Sequence, residues 1–433
     1  MWMIVFLILP FLGVAYCAWH VWMLLPLARL WRLLIVGLGI GSFLLMFLNF
    51  SRAIDRMPMP IARLCYDIGN SSLFVMLYLT MLFLLLDMGR LVHVVPRHWL
   101  HQNVYSSVVI AGGLFMVFLL GNIHYNNKVR KTIRLTTTKP LFRPAPAASS
   151  ATVPGASASG PASAADVGAG PVPARPLRIV MMSDLHLGYH NPRRELARWV
   201  DMVNAERPDV VLIAGDIIDM SIRPLIEEDM AAELRRIGAP VYACLGNHEY
   251  YSGEPLAQQF YRDAGIHLLR DTFAIISSSH PAVPPPLPSP SPGSQSAVLP
   301  PTHPAGLLII GRDDRTNRHR KTLERIMTEA KETVPGEYYT ILLDHQPYDL
   351  EQAEKASVDF QLSGHTHRGQ VWPISRITDR LYECSWGEWQ RGATRYYISS
   401  GIGIWGGKFR IGTQSEYVVA ELEEETFQLP KTK

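Results

Sequence analysis

The sequence of 433 residues contains only four cysteines, Cys17, Cys65, Cys244 and Cys384. They are too few and too widely spaced for a disulfide framework or a structural zinc module. Acidic residues are scarce in residues 1–138, which contain 11 Lys or Arg but only three acids and carry +8. The rest of the chain carries −5, from 30 bases and 35 acids. A chain that is not basic throughout lacks the usual mark of a nucleic-acid-binding protein, so no nucleic-acid binding is predicted.

Long apolar runs are concentrated near the N-terminus, and the whole chain is 48% apolar, which excludes general disorder. Each run approaches the roughly 20 residues that a bilayer core requires. The runs are residues 1–26, 33–50, 72–86 and 104–120. We therefore predict a membrane domain of four transmembrane helices over residues 1–125. The first run has no basic residue before it and is too long for a cleaved signal peptide.

The orientation of the spans follows from basic residues in the loops. With four spans, the N-terminus, the loop 51–70 and the segment after residue 121 share one side of the membrane. That side holds Arg52, Arg56, Arg63, Lys128, Arg130, Lys131 and Arg134. The other side holds Arg29, Arg32, Arg90 and Arg97. The positive-inside rule favours a cytoplasmic C-terminal portion, and the side inverts if the first or third run does not span.

Low-complexity segments divide the remaining chain. Residues 126–176 read as a basic segment followed by an Ala, Pro and Ser linker with almost no charge, which predicts a flexible tether. A proline-rich run at about 277–305 lies between two strand-like runs and is expected to be a long disordered loop inside a domain. This leaves a domain over residues 177–425 and a short tail over 426–433.

The domain after the linker has an α/β pattern. Short apolar runs predict strands at 177–183, 210–214, 240–245, 339–343, 360–362 and 396–400. Asn191 and Pro192 are expected to open a helix after the first strand, and helical spacing returns at 225–237. Because strands alternate with helices, we expect parallel pairing in a covered sheet for the first half.

Polar residues directly follow the predicted strands. They are Asp184, His186, Gly215, Asp216, Gly246, Asn247, His248, His345, Gly364, His365 and His367. Taken singly, each has a plain explanation as a surface polar group or a turn residue. Taken together, five separate strand ends carry Asp, Asn or His, and ligands bind at the carboxyl ends of strands in open α/β sheets.

These residue types are suited to metal binding. The D-x-H and H-x-H spacings of Asp184 with His186 and of His365 with His367 are expected to put each pair on one side of an extended segment. Carboxylates with imidazoles suit Mn, Fe or Zn, whereas Ca prefers oxygens alone. There are more candidate ligands than one ion needs, which indicates a two-metal site that activates water, with a carboxylate as the bridge.

Five strings in this region resemble the sequence blocks of the calcineurin-like metallophosphoesterase superfamily, and more narrowly its membrane-anchored bacterial branch of predicted phosphohydrolases. They are SDLHLG (183–188), GDIID (215–219), GNHEYY (246–251), DHQP (344–347) and GHTHRGQ (364–370). The resemblance covers about residues 177–423 and does not include the four spans. The fold that it implies is an α/β domain with a central β-sandwich flanked by helices.

The resemblance also implies a role for each matching residue. One metal would be held by Asp184, His186, Asp216 and His367. The second metal would be held by Asp216, Asn247, His345 and His365. His248 matches the catalytic histidine that protonates the leaving oxygen or stabilises charge in the transition state.

The expected function is a membrane-anchored, dinuclear-metal phosphoesterase that hydrolyses phosphodiester or pyrophosphate bonds, with Mn as the first metal to test in vitro. The expected partners are membrane lipids and a phosphorylated or pyrophosphate-containing substrate, with lipid-linked and soluble substrates both open. The alternative is a metal-binding membrane receptor or regulatory protein without turnover. A transporter is disfavoured because the spans lack the several ionisable groups that a transport pathway needs.

Several nearby residues are candidates for supporting roles, each with a plainer alternative. His190, Arg193 and Arg194 are expected to contact substrate phosphate, or else to form a solvated helix start. Tyr250 would wall the cleft or pack in the core. Arg312, in the GRDDR string, is a further candidate for substrate binding. Asp219 would orient a ligand histidine or act as a turn acid.

Overall fold

The computed structural model describes residues 2–51, 53–141, 175–277 and 306–425. Most of the expected linker, the proline-rich insert and the C-terminal tail lie outside the described residues. The described chain consists of an N-terminal group of helices followed by an α/β part.

The N-terminal part contains four helices. They are α1 (Trp2–Leu24), α2 (Arg29–Phe50), α3 (Met59–Leu91) and α4 (Val104–Asn126). Among the described residues, three stretches are long and apolar enough to cross a membrane, namely Arg29–Leu48, Met59–Leu91 and Val104–Asn126. The apolar stretch described in α1, Ile8–Leu24, is shorter. The structure thus supports three candidate spans by length and composition, against the four expected.

Helix α3 is longer than a bilayer core requires. Its 33 residues extend about 50 Å at 1.5 Å per residue, whereas the core is about 30 Å thick. A Cβ atom at Gly69 would lie 2.7 Å from the backbone nitrogen of Met46 in α2, so glycine allows the two helices to cross closely there. The first turns of α3 reach beyond this crossing and pack against the α/β part.

The α/β part contains two six-stranded sheets. The strands of the first sheet are, in spatial order, β1 (Val129–Thr137), β12 (Glu416–Glu424), β2 (Leu177–Met182), β3 (Val210–Ala214), β4 (Val241–Cys244) and β5 (His267–Leu268). Those of the second sheet are β10 (Gly387–Arg391), β11 (Thr394–Ile398), β9 (Phe360–Ser363), β8 (Tyr339–Leu343), β7 (Gly306–Gly311) and β6 (Thr272–Ser277).

Both sheets are mixed. Strands β2 to β5 pair in parallel, which confirms the parallel pairing expected for the first half, and β12 joins β2 antiparallel. In the second sheet, β7, β8, β9 and β11 are parallel, with antiparallel neighbours at both edges. Side chains from both sheets, such as Met181 and Leu212 from one and Ile341 and Leu362 from the other, form a single buried apolar cluster. The sheets therefore share one core.

Helices cover the outer faces of the sheets. They are α5 (Arg193–Ala205), α6 (Arg223–Glu227), α7 (Met230–Leu234), α8 (Asn247–Ser252), α9 (Glu254–Asp263), α10 (Leu323–Thr333), α11 (Glu351–Lys355) and α12 (Ile374–Leu381). The single helix expected at 225–237 is split into α6 and α7 because Asp229 adopts a left-handed conformation with φ of 49°. Helix α5 begins at Arg193, so Asn191 is not its N-cap.

The structure also differs from expectation just after α4. Residues 129–137, expected to precede the domain as a basic segment, form β1, which pairs in parallel with β12 along its full length. Ile133, Leu135 and Thr137 alternate inward, while Arg130 and Arg134 point outward and Lys131 is half-buried. This alternation is the pattern of a strand with one buried face. Residues 142–174 therefore connect two strands of the same sheet.

Candidate metal centre

The candidate ligands meet where the two sheets present the carboxyl ends of their strands. Asp184 and His186 follow β2, and Asp216 follows β3. Asn247 follows β4 as the first residue of α8, and His345 follows β8. His365 and His367 come after β9. Because five strand ends contribute, the fold collects residues that are up to 183 positions apart in the sequence.

The backbone at this site is unusual. Asp184, His186, Asp216, His365 and His367 all have positive φ, between 45° and 70°. Such conformations cost a non-glycine residue of the order of 1 to 3 kcal/mol and cluster at functional sites. The D-x-H and H-x-H pairs therefore do not lie on extended segments, and that part of the sequence interpretation was wrong. Left-handed turns, not strand alternation, direct these side chains.

The ligand atoms form three overlapping groups, and within each group they lie within 4.8 Å of one another. The groups are Asp184, His186 and His367; His186, Asp216 and His248; and Asp216, His345 and His365. Asp216 belongs to two of them, with its Oδ2 atom 3.1 Å from His345 Nε2 and 3.7 Å from His186 Nε2. This carboxylate lies at the centre of the site.

The protein alone does not satisfy the hydrogen-bonding capacity of these buried side chains. The Nε2 atoms of His186 and His367 lie 3.0 Å apart, and both residues are buried. His345 donates from Nδ1 to the carbonyl oxygen of Ala214 at 2.7 Å, and its buried Nε2 faces Asp216 Oδ2 at 3.1 Å but makes no hydrogen bond of good geometry with any described residue. Imidazole nitrogens without partners that converge with carboxylates fit a divalent cation, because a cation accepts all their lone pairs at once.

The charge states of His365, His367 and Asp216 agree with a cation site. Burial lowers the pKa of His345, but Asp216 outweighs it and raises that pKa well above its ordinary value, so His345 has to lose a proton when it binds a cation. Burial and the neighbouring His186 hold the pKa of His367 well below its ordinary value, and burial with His345 lowers the pKa of His365 to about 4. Both rings are therefore neutral at pH 7, as metal ligands must be. Burial raises the pKa of Asp216, but His345 and His248 outweigh it and hold that pKa well below the usual range. Asp216 is ionised.

His248, which belongs to one of these groups, lies next to Asp219. Asp219 Oδ1 lies 3.3 Å from Nδ1 of both His186 and His248, and the carboxylate accepts a hydrogen bond from Tyr66 of α3. Burial lowers the pKa of His248, but the charges of Asp216 and Asp219 raise it to about 9. His248 is therefore protonated at neutral pH. Its side chain is 14% exposed, so it can reach a bound molecule.

Three buried polar residues that support the site were missed in the sequence. The carboxylate of Glu249 accepts from the backbone N–H groups of Asp216, Ile218 and Gly246, which ties two ligand loops together. Arg410 is fully buried and donates to the carbonyl oxygen of His367 at 2.7 Å. Asn191 donates to the carbonyl oxygens of Leu185, His186 and Ile404. Glu249 lies inside the GNHEYY string, so its supporting role could have been suspected from the sequence.

Four of the five residues expected to bind substrate contact other side chains of the protein. His190 is buried, and its Nδ1 lies 2.7 Å from Asp67 of α3. Arg193 pairs with Glu233 at 2.9 Å, and Arg194 is exposed on α5. Tyr250 donates to Asp313 at 2.7 Å. Arg312 is buried and pairs with Asp344 at 3.0 Å. None of the five belongs to the three ligand groups found among the described residues.

The order of the ligand loops matches a known family. Residues 177–369 match the family model described as Calcineurin-like phosphoesterase. This chain carries a calcineurin-like metallophosphoesterase domain. The match includes all seven candidate ligands and His248, and it ends before α12.

Relatives of the metallophosphoesterase domain come from animals as well as bacteria. A Danio rerio protein named "Transmembrane protein with metallophosphoesterase domain" is 29% identical over 252 residues, which are 55% of this chain and 52% of that protein. An uncharacterized metallophosphoesterase of Campylobacter jejuni is 28% identical over 251 residues, 57% of this chain and 59% of that protein. The chain thus spans between half and two thirds of the length of these relatives. The resemblance is not confined to a bacterial branch.

Among solved structures, the 5'-nucleotidase precursor from Thermus thermophilus is 16% identical, with a TM-score of 0.33. The alignment covers 52% of this chain and 49% of that chain.

Proposed function

We propose that this chain is a membrane-anchored phosphoester hydrolase that works with two divalent cations. The observation that carries the proposal is the position of Asp216, whose carboxylate is shared by the group with His186 and the group with His345 and His365. A carboxylate has two oxygens, so it can bridge two cations in the arrangement that many phosphatases use. The family match over residues 177–369 supports the same activity.

The proposed metal sites divide the ligands into two sets that share Asp216. One set is Asp184, His186, Asp216 and His367, and the other is Asp216, Asn247, His345 and His365. Asn247 Oδ1 lies 2.8 Å from His365 Nδ1, so these two side chains are in contact. Mixed imidazole and carboxylate ligands suit Mn, Fe or Zn. When bound, such cations activate water as a nucleophile and neutralise charge on the phosphate oxygens.

His248 is the proposed general acid. In the proposed reaction, water adds to phosphorus and loses one proton to solvent, and the bond from phosphorus to the leaving oxygen breaks. His248 Nε2–H supplies the proton that the leaving oxygen needs and is protonated again from solvent. Asp219 supports this role because its carboxylate and its backbone carbonyl both lie close to Nδ1 of His248, at 3.3 and 3.2 Å. Contact with Asp219 keeps the ring oriented, with Nε2 left for the substrate.

The proposed substrates are phosphodiesters and pyrophosphates, including lipid-linked ones. The membrane helices support a membrane location, and the contacts of α3 with the metallophosphoesterase domain keep the site near the lipid surface. We further propose four transmembrane spans, a sandwich arrangement of the two sheets, and a cytoplasmic site in a bacterial inner membrane. A reporter fused after Lys433 tests the orientation, since activity that requires export of the reporter would overturn the cytoplasmic placement.

The proposed activity is tested with the purified full chain in lipid nanodiscs. Turnover is measured with Mn²⁺, Fe²⁺ or Zn²⁺ on a chromogenic phosphodiester, a phosphomonoester, a nucleotide and a lipid-linked diphosphate. We expect turnover of a diester or diphosphate that is abolished in Asp216→Asn and kept in Asp201→Asn, a matched change at an exposed site on α5. Metal binding without turnover of any of these substrates would overturn the hydrolase proposal and support the receptor alternative.

A further inference from the structure

Helix α12 carries apolar side chains that the described protein does not cover. Ile377 is 53% exposed and Leu381 is 72% exposed, while Trp372, just before the helix, is 50% exposed. Positions 374, 377 and 381 fall on one face of a helix. Ile374, at the start of this face, packs in a cluster with Phe74 of α3. The exposed stripe therefore continues the apolar surface of the membrane helices.

The contacts of α3 and α4 with the metallophosphoesterase domain place this stripe at the edge of the bilayer. Tyr78 of α3 donates a hydrogen bond to the carbonyl oxygen of Trp372, and Asn122 of α4 donates to the carbonyl oxygen of Lys408. Asn122 lies about 27 Å along α4 from Val104, and the hydrocarbon core is about 30 Å thick. This spacing predicts that helix α12 lies where the hydrocarbon core meets the headgroups.

The charges around the stripe suit a lipid surface. Arg376 and Arg380 are exposed and follow one another on the neighbouring face of α12. Asp379, also exposed, accepts a hydrogen bond from the hydroxyl of Ser385. An apolar face bordered by arginines is typical of a helix that lies in the plane of the membrane interface.

A second tryptophan lies at the same level. Trp405 is 42% exposed, and its ring lies 6.5 Å from that of Phe74 in α3. Tryptophan is enriched at membrane–water interfaces, because its ring is apolar while its N–H reaches polar groups. Trp372 and Trp405 therefore mark the same boundary from two separate loops.

An apolar groove extends from this surface along the membrane helices. It lies between α3 and α4, has a volume of about 360 Å³, and is lined by Tyr78, Leu82, Leu114 and Val117 among others. Tyr78 lines the groove and also bonds to the backbone of Trp372, so the groove begins next to the residue that precedes α12. A lipid with its headgroup at α12 would have room for an acyl chain in this groove.

Helix α12 also borders the metal centre. A Cβ atom at Gly369, in the turn that carries His367, would lie 2.6 Å from both Ser375 N and Thr378 Oγ1, so the helix packs directly on that turn. At the other end of α12, the ring of Tyr382 lies 6.5 Å from that of His365. The helix thus connects two sides of the site.

We propose that α12 is an interfacial helix of the bilayer that holds α2, α3 and α4. Trp372, Ile377 and Leu381 insert at the level of the headgroups, and Arg376 and Arg380 contact lipid phosphates. This inference deepens the proposed hydrolase function, on which its consequence for the substrate rests. The site is held at headgroup level and acts on phosphoesters of membrane-borne amphiphiles in preference to soluble ones.

The insertion is tested by fluorescence in full-length protein. A nitrobenzoxadiazole probe is attached to Ile377→Cys or Leu381→Cys in a Cys65→Ser background, because Cys65 is half-buried and the other three cysteines are buried. The control is Leu256→Cys on α9, an apolar residue that is 53% exposed. Nanodiscs contain phosphatidylethanolamine and phosphatidylglycerol, with a nitroxide near the headgroup as quencher.

If α12 inserts into lipid, probes at 377 and 381 should emit at shorter wavelength than the probe at 256. The lipid nitroxide should quench them at least about twofold more strongly, since interfacial helices bury their apolar face about 5 to 10 Å deep. Equal quenching at all three positions would overturn the proposal. A blue shift at 377 and 381 that depends on protein concentration, without quenching by the lipid nitroxide, would also overturn the proposal. It would show that the stripe lies against another copy of this chain. Neither result depends on enzymatic activity.

The consequence for the substrate is tested with Ile377→Glu combined with Leu381→Glu. This variant should lose most turnover of a phosphoester embedded in vesicles of the same lipids and keep turnover of a soluble chromogenic phosphoester. An equal loss on both substrates would mean that α12 only supports the site, and equal retention would mean that the lipid surface does not select the substrate. Absence of turnover in the unmodified protein would instead contradict the hydrolase proposal and leave the fluorescence result to decide insertion.

Discussion

Tyr66, on membrane helix α3, donates a hydrogen bond to the carboxylate of Asp219 beside the candidate metal centre. The same carboxylate lies 3.3 Å from Nδ1 of His186 and from Nδ1 of His248. One side chain therefore connects a membrane helix to a candidate ligand and to the candidate general acid. Partners of metal-binding histidines fix the orientation of the rings and influence metal affinity.

Tyr66→Phe should weaken Mn²⁺ binding, because Asp219 loses a hydrogen bond that holds it against His186. Changes to partners of ligand histidines cost 10- to 100-fold, and Tyr66 acts one step further away, so we expect about tenfold. Titration calorimetry on the full chain measures the change. Tyr16→Phe is the matched control, since Tyr16 donates to Asp87 at 2.7 Å at the other end of α3. Equal affinities in the two variants would contradict the coupling.

Gly246→Ala should abolish metal binding. A Cβ atom there would lie 2.1 Å from Asp216 Oδ1 and 2.6 Å from Asp216 N, so the central carboxylate has to move. Overpacking of this kind costs about 1 to 3 kcal/mol in stability. Gly238→Ala is the control, because its nearest contact would be Asn204 Oδ1 at 3.7 Å. Metal content after purification distinguishes them, and normal content in Gly246→Ala would refute the expectation.

His248→Ala and Asp216→Ala should have different effects. His248→Ala should retain metal and lose turnover by about 100-fold or more, because a positioned general acid contributes that much. Asp216→Ala should lose both metal and turnover, since its carboxylate belongs to two ligand groups. Metal analysis and turnover on the same samples separate these outcomes. Full activity in either variant would contradict the assigned roles.

The contact between Arg130 of β1 and Glu206 should stabilise the protein only above acidic pH. Arg130 bonds the carboxylate through two nitrogens, at 2.8 and 3.0 Å, and this lowers the pKa of Glu206. A carboxylate with a lowered pKa stabilises the folded state above its ordinary pKa of about 4.3, and the stabilisation is lost as pH falls through the lowered value. Glu206→Gln should therefore reduce the melting temperature more near about pH 7 than near about pH 3. An equal reduction at both would show that the charge is not involved.

The sequence was sufficient to predict that the candidate ligands lie close together. Short apolar runs end at Asp184, Asp216 and His345, and parallel strands bring their carboxyl ends to one edge, so proximity follows from the order of elements alone. The direction of the side chains could not be predicted in the same way. Left-handed φ at Asp184 and His365 is imposed by the turns that surround them, and local spacing carries no signal for it.

Residues whose roles depend on distant partners could also not be predicted from the sequence. Arg410 is buried because carbonyl oxygens of Ser400, Gly403 and His367 converge on it, and only the folded loops bring these groups together. Strand β1 was missed for a different reason. Its basic outward residues outweighed the alternation of Ile133 and Leu135, which was visible in the sequence and predicts a strand.

Helix α4 ends at Asn126 and β1 begins at Val129, so two residues separate a membrane helix from the edge of the first sheet. A connection this short is rigid and does not allow the domain to move away from the membrane. The height and tilt of the metal centre above the lipids are then fixed by the fold. For the lipid-borne substrate proposed above, encounter would be a search in two dimensions, governed by lateral diffusion in the membrane and not by motion of the enzyme.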